Sequence, residues 1–543
     1  MQRTSMRAST LIVCGLSASV ALGCAPSGGH ADPDGATPPP TIDASSPDAP
    51  SGGPPYSDFP AAPVLNTGAP ADAPMLFGMG GTATGGPCLI EPEIGTLFPN
   101  NWLRPRFTLV PAPGENLFEI RLHVDSQVND LVIYSTTVRW TMDADIWRNL
   151  SKHIGNDPIE VTVRGATWNG TQLTVPPAMG TTGTIRIAPV DATGAIVYWT
   201  TSGGTALKGF VVGSEDVREV LRPAQTSALC IGCHSSTPDG KFVGFSASES
   251  DWSGEPSRVD MRAVDGTAAQ PPFLTATASA LLTRQRQQAP VFSKAHWSAG
   301  DRVALNMFEV SGVTNIAWTD LEATSNTQGV GWGLLARSGD TRNAAAASWS
   351  HDGKTIAYVS TTVISSGVAN SAGDIYTVPY NDRQGGAATP LPGASSPAFN
   401  EFYPSWSADD ALLAFSRVPD TGNSTSGWTS YNNPQSEVFV IPPAGGQPLR
   451  LAANDPPFCT SRPSPGVTNS WPKWSPGVQA RDGKTYYWLT FSSTRGPDSL
   501  PQIYATAVVV DGSNISTYPA MYLWNQPANE ANHTPAWDNY QIN

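Results

Sequence analysis

Apolar and polar residues alternate in short runs between residue 87 and about residue 195, the period of a strand with one face buried. Arg106 to Val110, Leu117 to Val124, Leu131 to Ser135, Ile159 to Val163 and Thr184 to Ile187 are the predicted strands. Turn signals such as Pro113-Gly114 and Asn169-Gly170 separate them, and Trp140, Trp147 and Trp168 can fill a core. The pattern predicts a small β-sandwich. No catalytic set stands out in it; His123 and His153 read as ordinary surface or half-buried residues.

From about residue 196 the alternation recurs as a repeat. Ser348-Trp349-Ser350-His351-Asp352-Gly353-Lys354 precedes an apolar strand, as Ser405-Trp406-Ser407-Ala408-Asp409-Asp410 does. Looser copies lie at His296-Trp297-Ser298, Trp471-Pro472-Lys473-Trp474-Ser475 and Thr534-Pro535-Ala536-Trp537-Asp538. Each unit reads strand, tight turn, apolar strand. A further strand often follows, as in Asp374 to Val378 and Glu437 to Ile441. Thr237-Pro238-Asp239-Gly240-Lys241 opens the series and puts Ser236 where Trp stands elsewhere, with His234 at the position of Pro404. The motifs near 236, 297, 349, 406, 474 and 537 give six units. The sixth has no room to complete itself, so Ala195 to Thr200 and Leu207 to Val212 are expected to supply its missing strands.

These units resemble the repeats of TolB-type β-propellers, also called WD40-like PD40 repeats. The strand pattern over 87–195 predicts an immunoglobulin- or fibronectin-like sandwich, the resemblance, which covers 196–543, implies a six-bladed propeller there, and the chain is expected to be all-β. The resemblance also implies a scaffold that docks an envelope protein or cell-wall component. Gly427-Trp428-Thr429-Ser430-Tyr431 is then a candidate contact surface.

Cys230-Ile231-Gly232-Cys233-His234 changes that picture. C-x-x-C-H is the attachment pattern of c-type haem: two thiols add to the vinyl groups and the adjacent His takes an axial position. Cys230 and Cys233 are the expected covalent sites of one haem c, and His234 the proximal ligand. For the sixth position the candidates are His533, which ring closure brings beside the first unit, and His296 in the second. Met261 and Met307 lie on predicted strands and read as core. Ser214 to Leu221 reads as a short helix before the motif, with Ser214 as N-cap. Zinc would need a second ligand pair nearby, and a thioredoxin-like role a βαβ context; neither is present.

The N-terminus supplies an exported setting. Arg3 and Arg7 precede an apolar run, Leu11 to Leu22, too short to span a bilayer. Ala21-Leu22-Gly23-Cys24 resembles a bacterial lipobox, which implies residues 1–24 as a lipoprotein signal and Cys24 as the lipidated residue. Ala25 in place of Asp favours the outer membrane, facing the periplasm or the cell surface. Residues 25–86 are rich in Pro, Gly, Ser, Ala and Asp and read as a disordered tether. Once Cys14 leaves with the signal, Cys88 and Cys459 remain, expected as a disulfide between the N-terminal domain and the body of the protein. The alternative is two separate buried thiols.

With 50 Pro, 51 Gly and 14% charged residues, the chain suits short strands and many turns. A net charge of −14 argues against nucleic acid and against charge-driven binding to an anionic bilayer. The leading expectation is a monomeric, envelope-anchored c-type haem protein for electron transfer or redox sensing. Its partner would be a redox protein of the envelope, and its contact with the membrane the lipid anchor alone. A haem-free binding scaffold is the alternative. A haem peroxidase or quinone-dependent dehydrogenase is less supported, because no distal acid–base group or carboxylate pair stands out.

Overall fold

The computed structural model describes residues 55–66, 68–78, 80–249, 258–284, 288–364, 370–420 and 433–542. The expected signal, Cys24 and the Gly427–Tyr431 loop lie outside them. Among the described residues no helix is long and apolar enough to cross a membrane.

The first half is built from two sheets. One has six strands in the order Val64–Leu65, Leu131–Ser135, Leu117–His123, Ile159–Trp168, Leu173–Ile187 and Leu97–Phe98. The other has three: Cys88–Glu91, Arg106–Val110 and Arg139–Thr141. The alternating residues of these strands turn inward, so Phe107, Phe118, Ile120, Ile133, Val161 and Ile185 are fully buried. A helix that the alternation does not reveal, Ala144–His153, is capped by Asp143, which accepts from the amides of Asp145 and Ile146. It seats Trp147 and Leu150 in the core.

Two expectations are corrected here. The tether does not extend to residue 86. Val64–Leu65 runs parallel to Ile133–Tyr134, and the helix Ala73–Gly78 buries Leu76 and Phe77. His153 stacks on Tyr56 at 4.2 Å and hydrogen-bonds Asp58. The segment is poor in apolar residues, but Phe59, Leu76 and Phe77 dock on a surface already formed, so it needs no core of its own. The helix expected at Ser214–Leu221 is instead a strand, Arg218–Leu221, paired with Ala206–Val211. Val220 and Leu221 are buried at that sheet edge, and Ser214 Oγ only closes a local turn by accepting from the Asp216 amide.

Six antiparallel sheets follow in chain order, named here by the repeat that opens each. Sheet one holds Cys230–Ser236, Phe242–Ser248 and Arg258–Ala263. Sheets two to five begin at Val291–Phe292, Asn343–Trp349, Phe399–Trp406 and Asn469–Trp474. The sixth is closed by chain ends: Asn532–Asp538 pairs with Ala195–Thr200, which carries Ala206–Val211 and Arg218–Leu221 beyond it. In sheet two the repeat motif does not form the first strand, because Lys294–Ser298 is a short helix capped by Ser293.

The opening strands share a bulge. The register slips at Ala345/Ser348, Phe402/Ser405 and Ser470/Lys473, and Ala346, Tyr403 and Trp471 take φ of 46°, 55° and 60°. Such a bulge twists the strand and re-aims the side chains after it. It places Trp349, Trp406, Trp474 and Trp537 alike, each at 5% exposure or less. Trp406 Nε1 donates to Ser348 O and Trp474 Nε1 to Ser405 O, so these two indoles bolt sheets four and five to the sheets before them, while Trp349 Nε1 donates to Gly353 O in its own turn.

The two halves share one apolar core. It runs from Trp102, Phe107 and Ile187 to Trp488, Ile503, Leu523 and Trp537. Trp524 Nε1 donates to Arg104 O, the Arg495 guanidinium meets Glu93, and Cys88 is joined to Cys459 by a disulfide.

Candidate functional site

Cys230, Cys233 and His234 lie on the opening strand of sheet one. Cys230 faces Ser248 and His234 faces Phe245 in register, and a bulge between Ile231 and His234 leaves Gly232 and Cys233 against one residue of the partner strand. Ser236 pairs with Val243 at the hairpin end, as Trp406 pairs with Leu413. Thr237 Oγ1 and Asp239 then lock the turn around Gly240. At Gly240 φ is +72°, and a Cβ would collide with the Asn539 carbonyl.

Both thiols are buried in the apolar contact between sheets six and one, with Val197, Trp199, Leu207, Phe245 and Ala536. His234 is 7% exposed. Its Nε2 lies 3.2 Å from the Val197 carbonyl, and the Gly232 backbone also bears on the ring. Burial pulls the imidazole down to about 4, against the pull of the Val197 carbonyl, so the ring is neutral at physiological pH. Two thiols at the attachment spacing and a neutral imidazole thus lie together in a packed apolar contact. Among the described residues no group of three or more His, Cys, Asp or Glu side chains is gathered for a metal ion.

The expected sixth-position residues part company. His533 pairs in register with Trp199, two residues from the Val197 that holds His234, and packs on the Trp199 ring at 5.5 Å. Its Nε2 meets Thr201 Oγ1 at 3.3 Å, and burial pulls its pKa down to about 3. His296 is committed elsewhere: Nδ1 to Asp301, Nε2 to the Gly353 carbonyl, and its ring against Trp349 and Tyr380 of sheet three. Met261 and Met307 are fully buried on core strands.

Two residues outside the motif shape its charge. Lys473 stands on the opening strand of sheet five; burial pulls its ammonium down to about 8, opposed by Asp538 and by the Cys233 thiol. Burial raises Asp538 to about 6. One signal of Lys473 is visible in the repeat, where Ser348 and Ser405 hold the matching place. The Val197 carbonyl carries no sequence signal.

No protein-family model and no curated protein matches the chain. Among solved structures it is similar to hydrazine synthase of Kuenenia stuttgartiensis, at 15% identity over 53% of this chain and 70% of that one, with a TM-score of 0.30. It is also similar to a quinoprotein alcohol dehydrogenase-like protein of Bacteroides thetaiotaomicron, at 9% identity over 89% and 98%, with a TM-score of 0.27.

Proposed function

We propose that the chain is an exported c-type haem protein, with Cys230 and Cys233 as the thioether sites and His234 as an axial ligand. The observation that carries this reading is the placement of Cys230, Cys233 and a buried, neutral His234 together on one strand, with the imidazole Nε2 at the Val197 carbonyl. A haem attached there supplies one-electron chemistry. The residues of the chain would do the rest. The Val197 carbonyl sets the imidazole tautomer, Trp199 and Phe245 exclude water, and Lys473 adds a positive charge near Cys233. His533 would be the second candidate to hold such a group, because its strand pairs with Ala195–Thr200, whose Val197 carbonyl meets His234.

The architecture proposed around the site is an immunoglobulin-like sandwich and a six-bladed propeller closed by Ala195–Thr200 and Asn532–Asp538. Six sequential sheets and that closing pair support it. Export as an outer-membrane lipoprotein anchored at Cys24 belongs to the same proposal and rests on the apolar run before that residue.

A second reading is favoured by the enclosure of both thiols in the core between sheets. There the motif is packing, and the protein is a haem-free binding scaffold. Absorption spectra of protein co-expressed with a c-type maturation system separate the two. A sharp reduced α band that survives denaturation, and vanishes in Cys230→Ala/Cys233→Ala, supports the haem protein. A haem-free product with a stable fold supports the scaffold. His234→Gln tests the ligand: it is expected to keep attached haem and alter the axial spectrum.

A further inference from the structure

A cavity of about 400 Å³ lies where the two halves meet. This volume falls in the range of small-molecule sites, which favour domain junctions. One wall is the three-stranded sheet. Glu91, Thr108 and Arg139 stand side by side on it, because Glu91 pairs with Thr108 and Thr108 with Arg139 in register. The facing wall comes from the loops of sheet five, with Pro457, Leu500, Met521, Tyr522 and Trp524. The Cys88–Cys459 disulfide fastens the loop that forms the rim to the sheet opposite, so the cavity is built rather than incidental.

Its charge differs from that of the protein. The chain carries −14 overall, yet the lining holds Arg104, Arg106, Arg139, Arg462 and Arg495 against Glu91, Glu93 and Asp498. Several of these are already committed. Glu91 takes the Arg106 fork through Oε2, Glu93 faces Arg495, and Arg104 is held by Glu215. Arg462 donates to the carbonyls of Thr494, Gly496 and Pro497. Among the described residues the exposed Arg139 side chain has no hydrogen bond or ion pair, although its charge reaches both Glu91 and Tyr522. The Arg106 guanidinium lies over the Tyr522 ring at 5.3 Å, which presents the aromatic wall beside the cationic one.

We propose that this cavity binds a small organic anion, a carboxylate or phosphate on an apolar or aromatic body. Arg139 receives the anionic group, with Arg106 beside it, and the body lies against Met521, Tyr522 and Trp524. The site is independent of haem at Cys230 and Cys233.

The test uses two fluorescent probes of one shape, 8-anilinonaphthalene-1-sulfonate and its uncharged parent N-phenyl-1-naphthylamine, titrated into the full chain. The sulfonate is expected to bind at one saturable site and more tightly than the parent. Arg139→Ala is expected to weaken the sulfonate by about tenfold, the scale of one charge-assisted contact, and to leave the parent unchanged. Ala528→Trp, at an exposed position on the rim, is expected to reduce binding of both while the melting temperature holds. No saturable sulfonate site would overturn the proposal. So would equal affinity for the two probes, or a sulfonate site indifferent to Arg139→Ala or to Ala528→Trp.

Discussion

Sheets one and four begin with strands of the same design and opposite content. In sheet four, Tyr403-Pro404-Ser405-Trp406 is all packing: Tyr403 and Trp406 are at most 5% exposed, and the indole is bolted to Ser348. In sheet one, the corresponding stretch is Cys233-His234-Ser235-Ser236, equally buried at Cys233, His234 and Ser236, but with the bolt removed. Ser236 Oγ reaches only the adjacent Thr237 carbonyl, and His234 takes up the contact with sheet six through Val197. A repeat gives up apolar packing at one unit while keeping the hairpin that frames it.

If that contrast is sound, the bolts and their replacement differ in cost. Trp474→Ala removes a buried ring and its bond to Ser405, and is expected to destabilise by about 3–5 kcal/mol. Ser236→Ala at the matching place should cost about 1 kcal/mol or less, since only a local hydroxyl bond is lost. Urea unfolding of both variants decides; equal losses would erase the contrast.

Replacing Cys88 and Cys459 by Ser is expected to cost about 2–5 kcal/mol, read in the same unfolding curves. The loss should appear in one cooperative transition, because the halves share a core. Two separated transitions in the parent protein would show instead that the halves fold apart.

Acid sharpens the comparison further. His234 and His533 are held near 4 and 3, below the ordinary 6.5, so the unfolded chain binds protons that the folded one does not. Their stabilisation is full above pH 6.5 and is lost as the pH falls through those values, by up to about 3 kcal/mol for His234 and about 5 kcal/mol for His533. Glu93 and Glu401, raised to about 7, act in the opposite sense as the pH rises. The measurement is therefore the difference between parent and His533→Gln from pH 7 to 4. The variant is expected to show the shallower acid loss, and parallel curves would place His533 in contact with water.

A similarly small effect is expected at His351, whose half-exposed ring meets Asp410 of the next repeat at 3.0 Å. His351→Ala should cost about 1 kcal/mol, because the Asp410 carboxylate still accepts from the backbone amides of residues 351 and 352. A loss comparable to that of Trp474→Ala would move the inter-repeat bolt from the indoles to the turns.

Much of the strand order was legible because side-chain alternation and Asp-Gly turns are local. Arg106–Val110, Leu131–Ser135 and Ala195–Thr200 stand where their patterns place them. The helix Ala144–His153 escaped notice: its apolar stripe is only Ile146, Trp147 and Leu150, and the strand pattern around it is strong. Residues 55–86 misled through composition, since a few large side chains docked on a finished surface outweigh many prolines. Cys230, Cys233 and His234 announce themselves by spacing. The Val197 carbonyl, Lys473 and the cavity walls are assembled from sheets far apart in sequence, and main-chain groups leave no pattern to read.

The central claim is that sheet one carries a covalent group on its two thiols. Mass spectrometry of the peptide containing Cys230 to His234, from protein exported alongside a c-type maturation system, tests it directly. The account predicts that peptide one haem heavier, with the added mass absent from Cys230→Ala/Cys233→Ala. An unmodified peptide with both thiols intact, from protein of normal stability, would contradict it.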